Sequence, residues 1–399
     1  MYKLYCRTYQ KMMRAGLPLL PWREPELIEG ENSLMKLAPL IRNLKIESVL
    51  IITDRGIISA GMMEPLLESL QKEGISYSIY DKTVPNPTIT NIEEAYQMYK
   101  DSKCQALIAF GGGSPMDCAK GVGARAARPI KSIPQMKGLF KILKKLPPNF
   151  AIPTTAGTGS EATLAAVITN SDTHEKYAIM DPALIPHYAV LDHLLTVKLP
   201  PPITAATGMD ALTHAVEAYI GKSNTEETRQ WSRGAVQLIY ENLYEAYTNG
   251  LNTEARSNMQ KASYTAGKAF TRAYVGNVHA IAHTLGGFYS VPHGLANAVV
   301  LPYVLTYYGA TVHKSLAELA DVTEICDRHE TEEVKAKLFI KSIQKLNAAM
   351  GIPDKISEIE EEDIPIMVER ALREANPLYP VPMILSKKDM TKLYHQIKA

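Results

Sequence analysis

Three histidines fall within fifteen residues in the stretch VHAIAHTLGGFYSVPHG: His279, His283 and His293. The whole 399-residue chain has only ten. A second stretch, GMDALTHAVE, sets Asp210 and His214 four residues apart. On a helix that spacing puts both side chains on one face, and His279 with His283 repeats it. Such a pair can close on one ion, and imidazole with carboxylate suits Fe2+ or Zn2+. HAIAH lacks the glutamate that HExxH uses as general base, so a zinc protease is not indicated. Residue types alone leave open which histidines bind. They also leave the plainer alternatives of core histidines and a helix-capping aspartate.

A second constellation precedes these. QALIAF reads as a buried strand and runs directly into GGGSPMDCAK. Gly111, Gly112 and Gly113 tolerate positive φ and close backbone approach. Ser114 is expected to cap the next helix, with Pro115 at its first position and Asp117 completing a side-chain cap three residues on. Free N–H groups and the helix dipole there favour an anion such as pyrophosphate. The loop is neither GxGxxG nor GxxxxGK[ST], so the ordinary Rossmann and P-loop fingerprints do not apply. Asp54 ends the strand SVLIITD, where an acid accepts bonds from an adenosine ribose and repels a 2′-phosphate. TTAGTGSE adds Thr154, Thr155 and Thr158 at the end of another strand. Open parallel sheets bind ligands at these carboxyl ends.

The elements that must position these residues are legible in outline. A chain of 399 residues exceeds one ordinary core, so two domains are expected. Up to about residue 196, short apolar runs alternate with helical patterns, which implies a parallel sheet with crossovers. YAIMDP and YAVLDH read as two of its strands, and VPNPT as a turn around Asn86. From the proline cluster LPPPIT onward the periodicities are helical. The predicted division is 1–198, α/β, and 199–399, all-helical, with the break at 196–203. KSIPQMKGLFKILKKLPP (131–148) is basic and amphipathic and reads as a solvated helix or loop.

Composition narrows the partners. The chain is 46% apolar and 21% charged with a formal net charge of +1, which gives no reason to expect nucleic acid. No apolar run reaches membrane-span length. Cys6, Cys104, Cys118 and Cys326 contain no CxxC pair, which fits a reducing compartment, and the cytoplasm is expected.

In order, GGGSPMDCAK, TTAGTGSE, GMDALTHAVEAY and VHAIAHTLGGFYSVPHGLANAVVLP resemble the iron-containing, or group III, alcohol dehydrogenases. The resemblance runs from about residue 25 to the C-terminus and implies a dinucleotide-binding α/β domain followed by a helical metal-binding domain, as in dehydroquinate synthase-like folds. It implies Asp210, His214, His279 and His293 as metal ligands, and His283 as a proton-moving residue beside them. It implies NAD as cofactor: Asp54 matches the ribose-binding acid, Asn86, Gly113 and Ser114 match pyrophosphate and ribose contacts, and Gly112 belongs to the same loop. Thr154, Thr155 and Thr163 match residues near adenine and phosphate, and Lys176 a lysine near the nicotinamide ribose. The implied reaction interconverts a small alcohol and its aldehyde or ketone, with divalent iron, or zinc in its place, activating the substrate oxygen. A homo-oligomer, dimer or larger, is expected. The rival readings are a zinc glycerol dehydrogenase, a dehydroquinate synthase-like lyase and a non-catalytic dinucleotide or metal binder. His193, Arg272 and Tyr274 depart from the family pattern. Arg272, close in sequence to the ligand helix, is read either as recognising an anionic substrate or, more plainly, as a surface or structural arginine.

Overall fold

The computed structural model describes residues 1–16, 20, 22–173 and 175–399. The chain divides into two compact units: Pro21–Lys198, and Leu199–Ala399 together with Met1–Leu20. The first helix, α1 (Tyr2–Gly16), therefore belongs with the helical unit rather than with the α/β domain predicted for 1–198. The reason is polar as well as apolar. Arg7 donates to the carbonyls of Val381 (2.7 Å) and Pro382 (2.9 Å), and Gln10 to that of Tyr379 (2.7 Å). Cys6 and Gln10 form the buried face of the helix.

The α/β unit runs β1 (Glu26–Glu29), α2 (Leu37–Asn43), β2 (Ser48–Ile52), α3 (Arg55–Ser59), α4 (Glu64–Lys72), β3 (Ser76–Tyr80), α5 (Ile89–Asp101), β4 (Ala106–Gly111), α6 (Gly113–Ala127), β5 (Gly138–Leu139), β6 (Asn149–Pro153), β7 (Ala165–Asn170), β8 (Glu175–Met180) and β9 (Tyr188–Leu191). Six of these strands form a sheet in the order β1-β9-β6-β4-β2-β3, and every pair in it is parallel. The central strands are apolar throughout because helices cover both faces. Val49 and Ile51 pack with Leu37, Ile41, Leu66 and Leu70 on one side. Leu50 and Ile52, pointing the other way, pack with Ile92, Ala95, Met116 and Ala119.

The strand order contains a reversal. From β2 the chain steps outward to β3, then returns past β2 to β4 and continues through β6 and β9. The switch point therefore lies between β2 and β4, where a doubly wound sheet opens its ligand crevice. Asp54 follows β2, and the glycine loop follows β4.

One expectation needs correcting. YAIM does not join the parallel sheet: it lies in β8, antiparallel to β7 in a separate sheet ordered β5-β8-β7. Four residues separate β7 from β8, too few for a parallel crossover. Of the two forms expected for the basic segment 131–148, helix or loop, the loop is found, broken by a 3-10 turn at Pro134–Met136 and the short β5. Its backbone is held by Asp181, whose Oδ2 accepts from the amides of Ile142 (3.0 Å) and Leu143 (2.9 Å).

The helical unit continues with α7 (Pro201–Ile220), α8 (Glu226–Thr248), α9 (Thr253–Ala273), α10 (Asn277–Tyr289), α11 (His293–Tyr308), α12 (His313–Val322), α13 (Glu332–Ala349), α14 (Ile364–Ala375) and α15 (Lys387–Ile397). Helix α7 is buried along nearly its whole length, and α8, α9 and α11 pack around it. Buried charged side chains are rare unless paired or liganded. Along α7 two carboxylates and one imidazole are buried: Asp210, Glu217 and His214.

Candidate metal centre and dinucleotide loops

Three helices converge on one point. Asp210 and His214 come from successive turns of α7, His279 from the first turn of α10, and His293 opens α11. Each offers a ligand atom, and the four atoms all lie within 4.8 Å of one another. The PHG turn explains the approach of α11. A Cβ on Gly294 would sit 2.2 Å from the Ala206 carbonyl oxygen of α7, so only glycine lets the two helices come this close. The imidazole of His214 is stacked between Phe270 (4.2 Å between centroids) and His279 (4.5 Å).

Two buried polar side chains that the spacing did not single out hold this group. Asn297, one turn into α11, donates from Nδ2 to Asp210 Oδ1 at 2.7 Å. The same nitrogen lies 3.2 Å from both His279 Nε2 and His293 Nε2. Glu217, two turns along α7 from Asp210, accepts from His279 Nδ1 at 2.6 Å and from the amides of Gly276 and Val278 at 2.8 Å. Sequence carried one signal for Glu217: it shares the α7 face of Asp210 and His214 at a spacing of seven. Nothing local marked Asn297.

The donor set fits a divalent cation. One carboxylate and three imidazoles converge where a lone buried carboxylate charge would otherwise be costly, and this mix of oxygen and nitrogen suits Fe2+ or Zn2+. His283 lies outside the group. It sits one turn beyond His279 on α10, with its ring stacked on His293 at 5.1 Å. Its Nδ1 shares a 2.6 Å hydrogen bond with Glu374 Oε1, which also accepts from the Tyr379 hydroxyl at 2.8 Å. Burial and the Glu374 carboxylate push the Tyr379 hydroxyl far above its usual range, so it remains a donor.

Arg272 takes up the structural reading. It donates to Glu227 Oε2 at 2.7 Å and lies over the Trp231 ring, so its charge is engaged on α8. Tyr274 closes α9 with φ of +66°, a conformation that bulky residues adopt only under constraint, and burial pushes its hydroxyl up to about 12.

In the α/β unit the predicted loops meet. Gly111 has φ of +148° and turns the chain out of β4. Helix α6 begins at Gly113 with Gly112 as its N-cap and no side-chain cap. The predicted cap by Ser114 and Asp117 is therefore corrected. Asp117 instead accepts from Ser160 Oγ (2.8 Å) and the Val167 amide (3.0 Å), because burial turns it toward the neighbouring loop. The first amides of α6 are left to a ligand or to water. A Cβ on Gly113 would lie 2.7 Å from Thr158 Cγ2, so the TTAGTGSE loop rests directly on the glycine loop. Thr154 joins the two through its amide to the Gly111 carbonyl at 3.0 Å, and Thr155 borders Gly112.

Asn86 has φ of +57° and links the remaining residues. Its amide donates to Ser114 Oγ (3.2 Å), and its Oδ1 accepts from Lys176 Nζ (2.7 Å). Asp54 caps α3 through Oδ1 to the Ile57 amide at 3.1 Å. Thr163 is buried and faces Lys120, whose Nζ bonds Ser160 Oγ, Thr163 Oγ1 and the Ala165 carbonyl at 2.8 Å each. Burial lowers the Lys120 ammonium to about 8 despite Asp117 and Glu161, and burial raises the Glu161 carboxyl to about 7. Lys120 closes the GGGSPMDCAK motif, and no local spacing marks its role.

Comparison with known proteins agrees with both halves. Residues 25–193 match the iron-containing alcohol dehydrogenase family, and residues 204–398 match the C-terminal region of Fe-containing alcohol dehydrogenases. The chain is 38% identical to a 1,3-propanediol dehydrogenase from Citrobacter freundii over 92% of its own length and 95% of that protein's. A crystal structure of a 1,3-propanediol oxidoreductase superposes with a TM-score of 0.90 at 35% identity, covering 94% of this chain and 99% of the other. A sulfoacetaldehyde reductase from Bifidobacterium kashiwanohense, solved in complex with NAD+, gives 0.83 at 26% identity, covering 94% and 98%. The chain belongs to the iron-containing alcohol dehydrogenase family and is an oxidoreductase of that family.

Proposed function

We propose that the helical unit holds a divalent iron through Asp210, His214, His279 and His293, that the α/β unit holds NAD(H), and that the enzyme interconverts a small alcohol and its aldehyde or ketone. The convergence of four buried or half-buried ligand atoms within 4.8 Å carries this reading. The solved relative bound to NAD+ supports the cofactor. Zinc suits the same donors, and iron is favoured by the family.

When bound, the ion supplies Lewis acidity toward the substrate oxygen, and the nicotinamide supplies a hydride acceptor. The chain's own residues do the rest. The N-terminal amides of α6 hold the pyrophosphate, with Gly112, Gly113 and Ser114 forming the cradle and Thr154, Thr155, Thr158 and Thr163 its walls. Asp54 accepts from the adenosine ribose with the carboxylate oxygen not used as a cap. Asn86 and Lys176 hold the second ribose. His283, with Nδ1 held by Glu374, moves the hydroxyl proton at Nε2. A cytoplasmic setting belongs to the same reading, supported by the four cysteines being unpaired.

The test is NADH formation by anaerobically iron-loaded enzyme across a panel of short alcohols and diols, 1,3-propanediol included, repeated with NADP+. Activity with NAD+ on at least one small alcohol is expected. Activity with NADP+ only would overturn the role given to Asp54. No NADH from any alcohol would overturn the function.

A further inference from the structure

Glu217 occupies an unusual position for a carboxylate. It is 4% exposed, and each of its oxygens is committed. Oε1 accepts from the Val278 amide at 2.8 Å. Oε2 accepts from the Gly276 amide at 2.8 Å and faces His279 Nδ1 at 2.6 Å. The backbone is shaped to admit it, since a Cβ on Gly276 would fall 2.7 Å from Glu217 Oε1. Helix α7 thus contributes Asp210 and His214 to the metal group and, two turns on, supplies the acceptor that receives the N-terminus of the next ligand helix.

Both ring nitrogens of His279 have assigned partners, and the two partners agree. A carboxylate at Nδ1 requires the ring proton to sit there. At the other end, the Asn297 amide nitrogen lies 3.2 Å from Nε2, and as a donor only it offers no acceptor for a proton there, which agrees with a bare Nε2. Asn297 Oδ1 is buried with no hydrogen-bond partner, so the amide is oriented by the acceptors on its nitrogen side.

We infer that Glu217 is the positioning residue of the metal centre: it fixes His279 in the Nδ1–H tautomer, leaves Nε2 bare toward Asp210, and so sets how tightly the site holds a divalent ion. The inference rests on the ligand assignment above. Carboxylates that receive a ligand imidazole's second nitrogen commonly govern metal affinity. Here the same carboxylate also caps α10, so ring tautomer and helix position are fixed together.

Glu217→Gln tests this sharply because all three partners donate. A glutamine has one accepting oxygen and one NH2 group. In either orientation one backbone N–H of α10 faces another N–H. In one of the two, the NH2 also faces His279 Nδ1, which moves the ring proton to Nε2 and blocks it. The measurement is Zn2+ affinity by competition with a chromogenic chelator, paired with 15N spectra of histidine-labelled protein. Glu217→Gln is expected to raise the Zn2+ Kd by roughly ten- to a hundredfold and to lose the pure Nδ1–H signature of His279. Gly276→Ala, which displaces the carboxylate without removing it, should raise the Kd severalfold and decides the matter if Glu217→Gln does not fold. A Kd within about twofold of the parent in the folded variants, with His279 still protonated at Nδ1, would overturn the inference. Asp210→Ala is the control. If it binds Zn2+ as the parent does, the ligand assignment itself is wrong, whatever Glu217 does.

Discussion

The two units offer different kinds of candidate site, built from different parts of the chain. In the helical unit the proposed metal site is made of side chains: one carboxylate and three imidazoles from α7, α10 and α11, contacted by Glu217 and Asn297. In the α/β unit the proposed dinucleotide site is mostly backbone: the start of α6 without a side-chain cap, a glycine at φ +148°, and loops that rest on one another. An ion needs a few donors fixed to within fractions of an ångström, and packed helices provide that. A dinucleotide presents a long anionic surface, and amides at a helix start meet it without any particular side chain. The metal site should therefore fail on loss of single side chains, and the dinucleotide loops on added bulk.

The largest expected effect is on the fold of the α/β unit. Lys120→Met removes three hydrogen bonds and leaves Asp117 and Glu161 buried without their cation. It should cost roughly 3–5 kcal/mol of stability, read by chemical denaturation. The next is Gly113→Ala. Its Cβ would press on Thr158, and overpacking of about 1–3 kcal/mol should weaken NADH binding roughly tenfold with metal content unchanged. Asp54→Ala should reduce the preference for NAD+ over NADP+ by about tenfold, the scale of one bond to a charged group, measured as a ratio of kcat/KM values. Arg272→Ala should matter least. Its pair with Glu227 is partly exposed and worth at most about 1 kcal/mol, and discrimination between charged and neutral alcohols should not change. A lost preference for acidic substrates in that variant would restore the anion-recognition idea.

The same contrast explains what the sequence disclosed. Asp210 and His214, and His279 and His283, were visible because a spacing of four on a helix is a local rule. The glycine loop was visible because consecutive glycines after a strand are rarely idle. Glu217, Asn297 and Glu374 were not, because their roles depend on which helices pack together, and no local pattern encodes that. The Ser114–Asp117 cap failed for a related reason. The spacing was right, but Asp117 has a stronger claim from Ser160 and Val167 across the loop. Helix α1 joins the helical unit through a tie to residues 379–382 that spans most of the chain, which no local pattern discloses. The split of β8 from the parallel sheet was hidden because a strand's partner is not written in its own residues.

The central claim is that metal and dinucleotide are held by separate units through separable residues. Its most direct test is to measure, on the same anaerobic preparations, bound iron and NADH affinity in Asp210→Ala and Gly113→Ala. The predicted result is a double dissociation: Asp210→Ala loses iron and binds NADH like the parent, and Gly113→Ala keeps iron and binds NADH roughly tenfold more weakly. Asp210→Ala that retains a full equivalent of iron would contradict it.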